Sequence, residues 1–138
     1  IASAKSGISK GVYAFLQLCV VMIPVYIAVA LLKLTPILDL ISNAFAPFMK
    51  YFGLPGASAL AVVTGNFVNI YAALAIIAGI GLDARQITIL AIMLGISHSQ
   101  IMESAVIGKM KAKMYLVTSL RLVISLIVSF LLNLTLPG

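Results

Sequence analysis

The 138 residues are 63% apolar and only 9% charged, with nine Lys or Arg, three acids and a formal charge of +6. A soluble domain this small leaves much of its surface in water, and so few charged side chains cannot cover it. Disorder is excluded too, because it needs low hydrophobicity and high charge. What remains is a small integral membrane chain of about one domain. The basic residues flank apolar runs instead of forming a stripe, which suits membrane orientation and argues against a nucleic-acid partner. Cys19 is alone, so no disulfide framework exists within one chain.

Lys5 and Lys10 precede 22 uncharged residues, Gly11–Leu32, closed by Lys33. That run exceeds the ~7–15 residues of a signal core and reads as a retained span, with a kink expected at Pro24. In the following segment, Pro36–Phe52, apolar Ile37, Ile41, Ala44, Phe45, Phe48 and Phe52 recur at helical spacing. Asp39, Ser42, Asn43, Ala46 and Lys50 fall opposite, so the segment predicts an amphipathic helix in the interface plane. Pro47 is expected to split it in two.

Tyr51–Leu82 holds 32 uncharged residues, whereas one crossing uses about 20. Thr64, Gly65, Asn66 and Asn69 break its centre. Two readings compete: a full crossing with a polar patch, and a re-entrant hairpin over 55–82 joined at Thr64–Asn69. Thr-Gly-Asn is good turn chemistry. A non-helical turn at membrane depth is tolerated only where protein buries it or where it lines a cavity, so the hairpin implies a site.

Asp83 is placed to cap the next helix. The run 86–113 predicts one crossing helix with a break near residues 95–100, where Ser97-His98-Ser99-Gln100 follows Gly95. Met114–Leu136 is a last span of 23 residues carrying one charge, Arg121. With a hairpin, Lys5, Lys10, Lys109, Lys111 and Lys113 share one side and Lys33, Lys50 and Arg85 the other. A full crossing also splits the bases five to three, so charge does not choose between them and permits insertion both ways.

Four spots interrupt the apolar background. Thr64, Asn66 and Asn69 are either helix–helix contacts or a hairpin tip that presents polar groups to a ligand. Ser97, His98, Ser99 and Gln100 stand close to Glu103, the one acid without a surface explanation. An intramembrane carboxylate is a functional-site hypothesis by default. The bland alternative pairs Glu103 with Lys109 or another lysine and leaves His98 as a satisfied interior side chain. Arg121 is expected chiefly to anchor the last span at the interface, the alternative being a pair with an acid such as Glu103. The loop Lys109–Lys113 reads as a topology determinant or anionic-lipid contact. No zinc-protease, phosphate-loop or nucleophile-elbow pattern occurs, and an enzyme is not expected.

This order of parts is definite: span, interfacial helix, polar interruption Thr64-Gly-Asn66-Phe-Val-Asn69, interrupted helix at Ser97-His98-Ser99-Gln100-Ile-Met-Glu103, span. From about Gly11 to Leu136 it resembles the nucleoside recognition or Gate domain family, which includes the spore maturation proteins A and B and the gate portions of ferrous iron permeases. It is also similar to one inverted repeat of the concentrative nucleoside transporters. The resemblance implies an all-α transport fold in which the tip of a hairpin meets a broken helix near the midplane. Thr64, Asn66 and Asn69 would then be hairpin-tip residues of a substrate site. Ser97, His98, Gln100 and Glu103 would be its broken-helix residues.

Only one repeat is present, so the resemblance implies a second copy in inverted orientation, as an antiparallel homodimer or with a sister subunit. The implied function is a half-sized secondary transporter for a small polar solute, with nucleoside-like solutes as the class the resemblance suggests. No cofactor or metal is expected beyond a coupling Na+ or H+. The alternative is a non-transporting assembly subunit whose polar residues are helix–helix contacts. The expected location is a multi-pass position in a cell membrane, with the bacterial inner membrane foremost.

Overall fold

A computed structural model describes residues 2–110 and 113–137. Among the described residues the fold is all-helical, with seven helices. They are α1 (Ala2–Leu32), α2 (Ile37–Lys50), α3 (Ser58–Phe67), α4 (Ile70–Ile80), α5 (Ala84–Ser97), α6 (Gln100–Lys109) and α7 (Met114–Thr135). Helices α1 and α7 are long and apolar enough to cross a membrane. Lys111, part of the basic loop read from the sequence, lies outside the described residues.

Helix α2 is continuous through Pro47, contrary to the expected split. Proline removes one N–H from the ladder, and Pro47 stands fourth from the helix end, where little ladder follows it. Helix α3 runs on through Thr64, Gly65 and Asn66, so the turn is not built from Thr-Gly-Asn. It ends where Val68 leaves helical geometry (φ −108°, ψ −83°), and the N–H groups of Val68 and Asn69 both return to the Thr64 carbonyl at 2.8 and 3.2 Å. Asn69 is extended and caps α4, its Oδ1 accepting from the Ala72 N–H at 2.8 Å. Gly81, at φ +72°, closes α4 in the left-handed conformation that glycine adopts without steric cost. Asp83 and Gln86 then form a reciprocal capping box that opens α5.

Long-range bonds fix how the helices run. Arg85 of α5 donates to the Leu136 and Asn133 carbonyls at 3.2 and 2.8 Å. Ser125 Oγ donates to the Met93 carbonyl at 2.9 Å, and Arg121 Nε to the Ile96 carbonyl at 2.9 Å. Beyond α5, the Ser104 and Thr118 hydroxyls are 2.8 Å apart. The 84–109 segment is therefore antiparallel to α7 along its whole length. Arg85 supplies donors to α7's terminal carbonyls, which have no helical partner of their own.

Helix α1 packs along α4, with Val29 against Gly79. A Cβ at Gly79 would stand 2.7 Å from Val29 Cγ1, so the missing side chain sets that approach. Asn133 Nδ2 donates to the Tyr51 carbonyl at 3.0 Å, while Arg85 Nη2 donates to Asn133 Oδ1 at 2.6 Å. The chain thus leaves residue 51 and returns to residue 85 at the same end of the bundle. The buried core is built from Ala59, Ala61, Ala73 and Ile76 of α3 and α4 against Ile89, Leu90, Met93 and Leu94 of α5. Small residues let these short helices approach closely, which suits association in lipid.

Candidate functional site

The end of α3 meets the junction of α5 and α6. Ser99 N–H donates to the Gly65 carbonyl at 2.8 Å. That carbonyl is spare because α3 stops two residues later, and that N–H is spare because α5 has already ended. Each interruption thus satisfies a backbone group freed by the other. Gly65 permits the approach: a Cβ there would lie 2.6 Å from Leu94 Cδ2 and 3.1 Å from Ala73 Cβ. Its φ is not positive, so its role is proximity, not turning.

At the junction His98 is extended and Ser99 takes φ +53°, ψ +38°, a left-handed conformation unusual outside glycine. Polar side chains hold this geometry. Buried Gln100 donates from Nε2 to the Ser97 carbonyl at 2.8 Å, and buried Ser97 from Oγ to the Met93 carbonyl at 2.9 Å. His98 Nδ1 lies 3.0 Å from the Leu94 carbonyl. A carbonyl only accepts, so Nδ1 carries the proton and Nε2 keeps its lone pair when the ring is neutral.

Glu103 forms an ion pair with Arg121, and its other oxygen lies 3.9 Å from His98 Nε2, beyond hydrogen-bond reach. Arg121 does not reach for the interface. Its side chain is 23% exposed and turns inward to Glu103 and the Ile96 carbonyl, because both offer charge or dipole that water would otherwise supply. Arg121 thereby ties α7 to both sides of the junction. It stands seven residues into α7, about 10 Å along the axis.

Asn66 and Asn69 have different environments. Asn66 is 4% exposed; its Nδ2 donates to the Val62 carbonyl at 2.8 Å, and its Oδ1 is buried without a hydrogen-bond partner. Asn69 spends its Oδ1 on the α4 cap. Thr64 is half-buried, with its carbonyl closing α3. The acceptors left without donors are therefore Asn66 Oδ1, His98 Nε2 and one Glu103 oxygen. Such a set suits a polar solute rich in O–H and N–H donors. Among the described residues, no three His, Cys, Asp or Glu side chains gather as a metal site would require.

A second polar feature was missed from the sequence. Thr118, Arg121, Ser125, Ser129 and Asn133 recur every three or four residues along α7. Four of them bond to α5, α6 or the end of α2, while Ser129 Oγ donates to its own helix at the Ser125 carbonyl, 2.7 Å away. Their helical period was the available signal.

The family model described as "Gate: Nucleoside recognition" matches residues 15–134. The chain is also 32% identical over 133 residues to "Uncharacterized membrane protein YvoD" of Bacillus subtilis (strain 168). That alignment covers 96% of this chain and 43% of the relative, so the chain spans less than half of that protein's length. No solved structure matches. With the family model covering most of its length, the chain belongs to the Gate nucleoside-recognition domain family.

Proposed function

We propose that this chain is one half of a membrane transport site for a small polar solute, nucleosides being the first class to test. The observation that carries the proposal is the Ser99–Gly65 bond, which joins two interruptions of apolar segments into one polar cluster. In this reading α1, the α5–α6 segment and α7 cross the membrane, and α3–α4 enters and returns as a re-entrant hairpin. The bridge from Tyr51 through Asn133 to Arg85 supports the return. Non-helical backbone at depth needs protein cover: the hairpin end is bonded to the junction through buried Gly65, while Phe67 and Val68, exposed in this chain, are left for the second unit to cover.

Asn66, Glu103 and His98 supply acceptors to the solute; Glu103 or His98 takes up the proton where H+ is the coupling ion, and the Glu103 carboxylate binds Na+ where it is not. Thr64, Ser97 and Gln100 shape the surrounding wall, and Asn69 sets the direction of α4. The α3 end and the junction form only one side of such a site. A second unit of the same kind closes it: an antiparallel copy, a sister chain, or another part of a longer polypeptide.

The test is uptake of radiolabelled nucleosides into proteoliposomes. Glu103→Gln and Asn66→Ala are expected to reduce uptake roughly tenfold or more, the scale of a lost charged or buried hydrogen bond, while cross-linked oligomers persist. Unchanged uptake contradicts the proposal. Oligomers that dissociate in both variants favour an assembly subunit whose polar residues are helix–helix contacts.

A further inference from the structure

At the opposite end of α7 from Glu103, two hollows join between α2 and α7. The first, about 470 Å3, is lined by Pro47, Lys50, Tyr51, Phe130 and Asn133. The second, about 360 Å3, shares Tyr51 and Phe130 and continues between Phe48, Leu126 and Leu131. No polar side chain apart from the Tyr51 phenol lines this continuation. The feature thus has a polar mouth and an apolar tail. Asn133 is twelve residues from Arg121, about 18 Å along the helix, so it is separate from the acceptor cluster.

The charge at the mouth is one-sided. Lys50 lines it, and Arg85 reaches its wall through Asn133 Oδ1. Among the described residues every ion pair involves Glu103, so neither Lys50 nor Arg85 has a carboxylate partner. Arg85 spends its donors on the carbonyls and amide of Asn133 and on Leu136, which fixes its charge without cancelling it. Helix α2 turns Leu38 and Met49 into the bundle, leaves Ile37, Phe45 and Phe48 exposed, and ends at Lys50, the level where an interfacial helix meets headgroups.

We propose that this mouth and groove bind an anionic phospholipid, its phosphate at Lys50 and one acyl chain along Phe130, Leu126 and Leu131. Charge complementarity selects the lipid over a second protein copy, because a copy of this basic chain would bring more positive charge to the mouth. An acyl chain needs no hydrogen-bond partners, which matches the apolar tail. Bound there, the lipid braces α2 against α7 beside the Asn133 bridge. The inference is independent of what the acceptor cluster carries.

The experiment is native mass spectrometry of the full chain released from nanodiscs of mixed phosphatidylglycerol and phosphatidylcholine. Wild-type protein retains phosphatidylglycerol preferentially. Lys50→Gln lowers that preference roughly fivefold, the scale of one basic residue at an anionic surface. Lys5→Gln removes the same charge elsewhere and leaves the preference intact. Equal retention of both lipids, or an equal loss in Lys5→Gln, overturns the site. Displacement of phosphatidylglycerol by millimolar inorganic phosphate overturns it too, since the groove would then contribute nothing. So does efficient disulfide formation between copies by Phe130→Cys in a Cys19→Ala background, which would place a second copy on the groove.

Discussion

Arg121 and Glu103, eighteen residues apart on α7 and α6, form an ion pair, and the same guanidinium donates to the Ile96 carbonyl at the end of α5 at 2.9 Å. One side chain thus holds both pieces of the interrupted helix against the last span. The carboxylate could not sit in this apolar setting alone.

Removing the arginine should therefore hurt more than removing both charges. Arg121→Gln is expected to destabilise the protein by about 1–2 kcal/mol, below the ~3–5 kcal/mol of a fully buried pair because the Glu103 side chain is 39% exposed. Adding Glu103→Gln should recover part of that loss. Thermal unfolding of the two single variants and the double variant in detergent checks both the sign and the coupling.

Gly65 makes a sharper steric prediction. Gly65→Ala places a methyl against Leu94 and Ala73 and should cost about 1–3 kcal/mol as α3 is pushed off α5. Gly95 has open space at the equivalent atom, so Gly95→Ala should be neutral or raise stability by up to about 1 kcal/mol. Equal unfolding temperatures for the two variants would show that close approach at Gly65 does not matter.

Ser99 pays, in backbone strain, for the meeting of the two interruptions. Ser99→Gly should leave the fold intact and stabilise it by about 1 kcal/mol, because glycine occupies φ +53° freely. Ser99→Val should destabilise it by a similar or larger amount, since a β-branched side chain resists that geometry. Amide exchange at residues 98–100, followed by mass spectrometry, reads the change directly.

These sites also mark how far sequence alone reaches. The apolar runs, the amphipathic α2 and the Asp83 cap follow from composition and local chemistry. Gly65 looked like a turn former, but glycine in a polar triplet signals either a turn or close packing, and only Leu94 and Ala73 decide which. Val68 ends α3, and Asn69, not Gly65, sets where the chain restarts as α4, because its side chain can replace a missing helical acceptor. Arg121 turned inward for a reason set by distant residues, Glu103 and Ile96. The Ser125–Met93 and Asn133–Arg85 contacts likewise link segments tens of residues apart, and serines within an apolar span carry no local mark of their partners.

Arg85 and Asn133 test the end of the bundle where residues 51 and 85 meet. Arg85→Gln should lower stability by about 1–3 kcal/mol by freeing the Asn133 and Leu136 carbonyls. Asn133→Leu breaks the bridges to both Tyr51 and Arg85 and should cost at least as much. Chemical unfolding in mild detergent measures both.

Everything proposed for the acceptor cluster depends on residues 51–82 returning to the side of the membrane they left. The direct measurement is a pulsed electron-spin distance between labels at Tyr51→Cys and Ala84→Cys, in a Cys19→Ala background, in nanodiscs and diluted with unlabelled protein. A re-entrant hairpin predicts one short distance, well under the ~30 Å hydrocarbon thickness, because a single Asn133 side chain bridges Tyr51 and Arg85. A distance of about 30 Å or more would mean that the segment crosses, and would contradict the joined site.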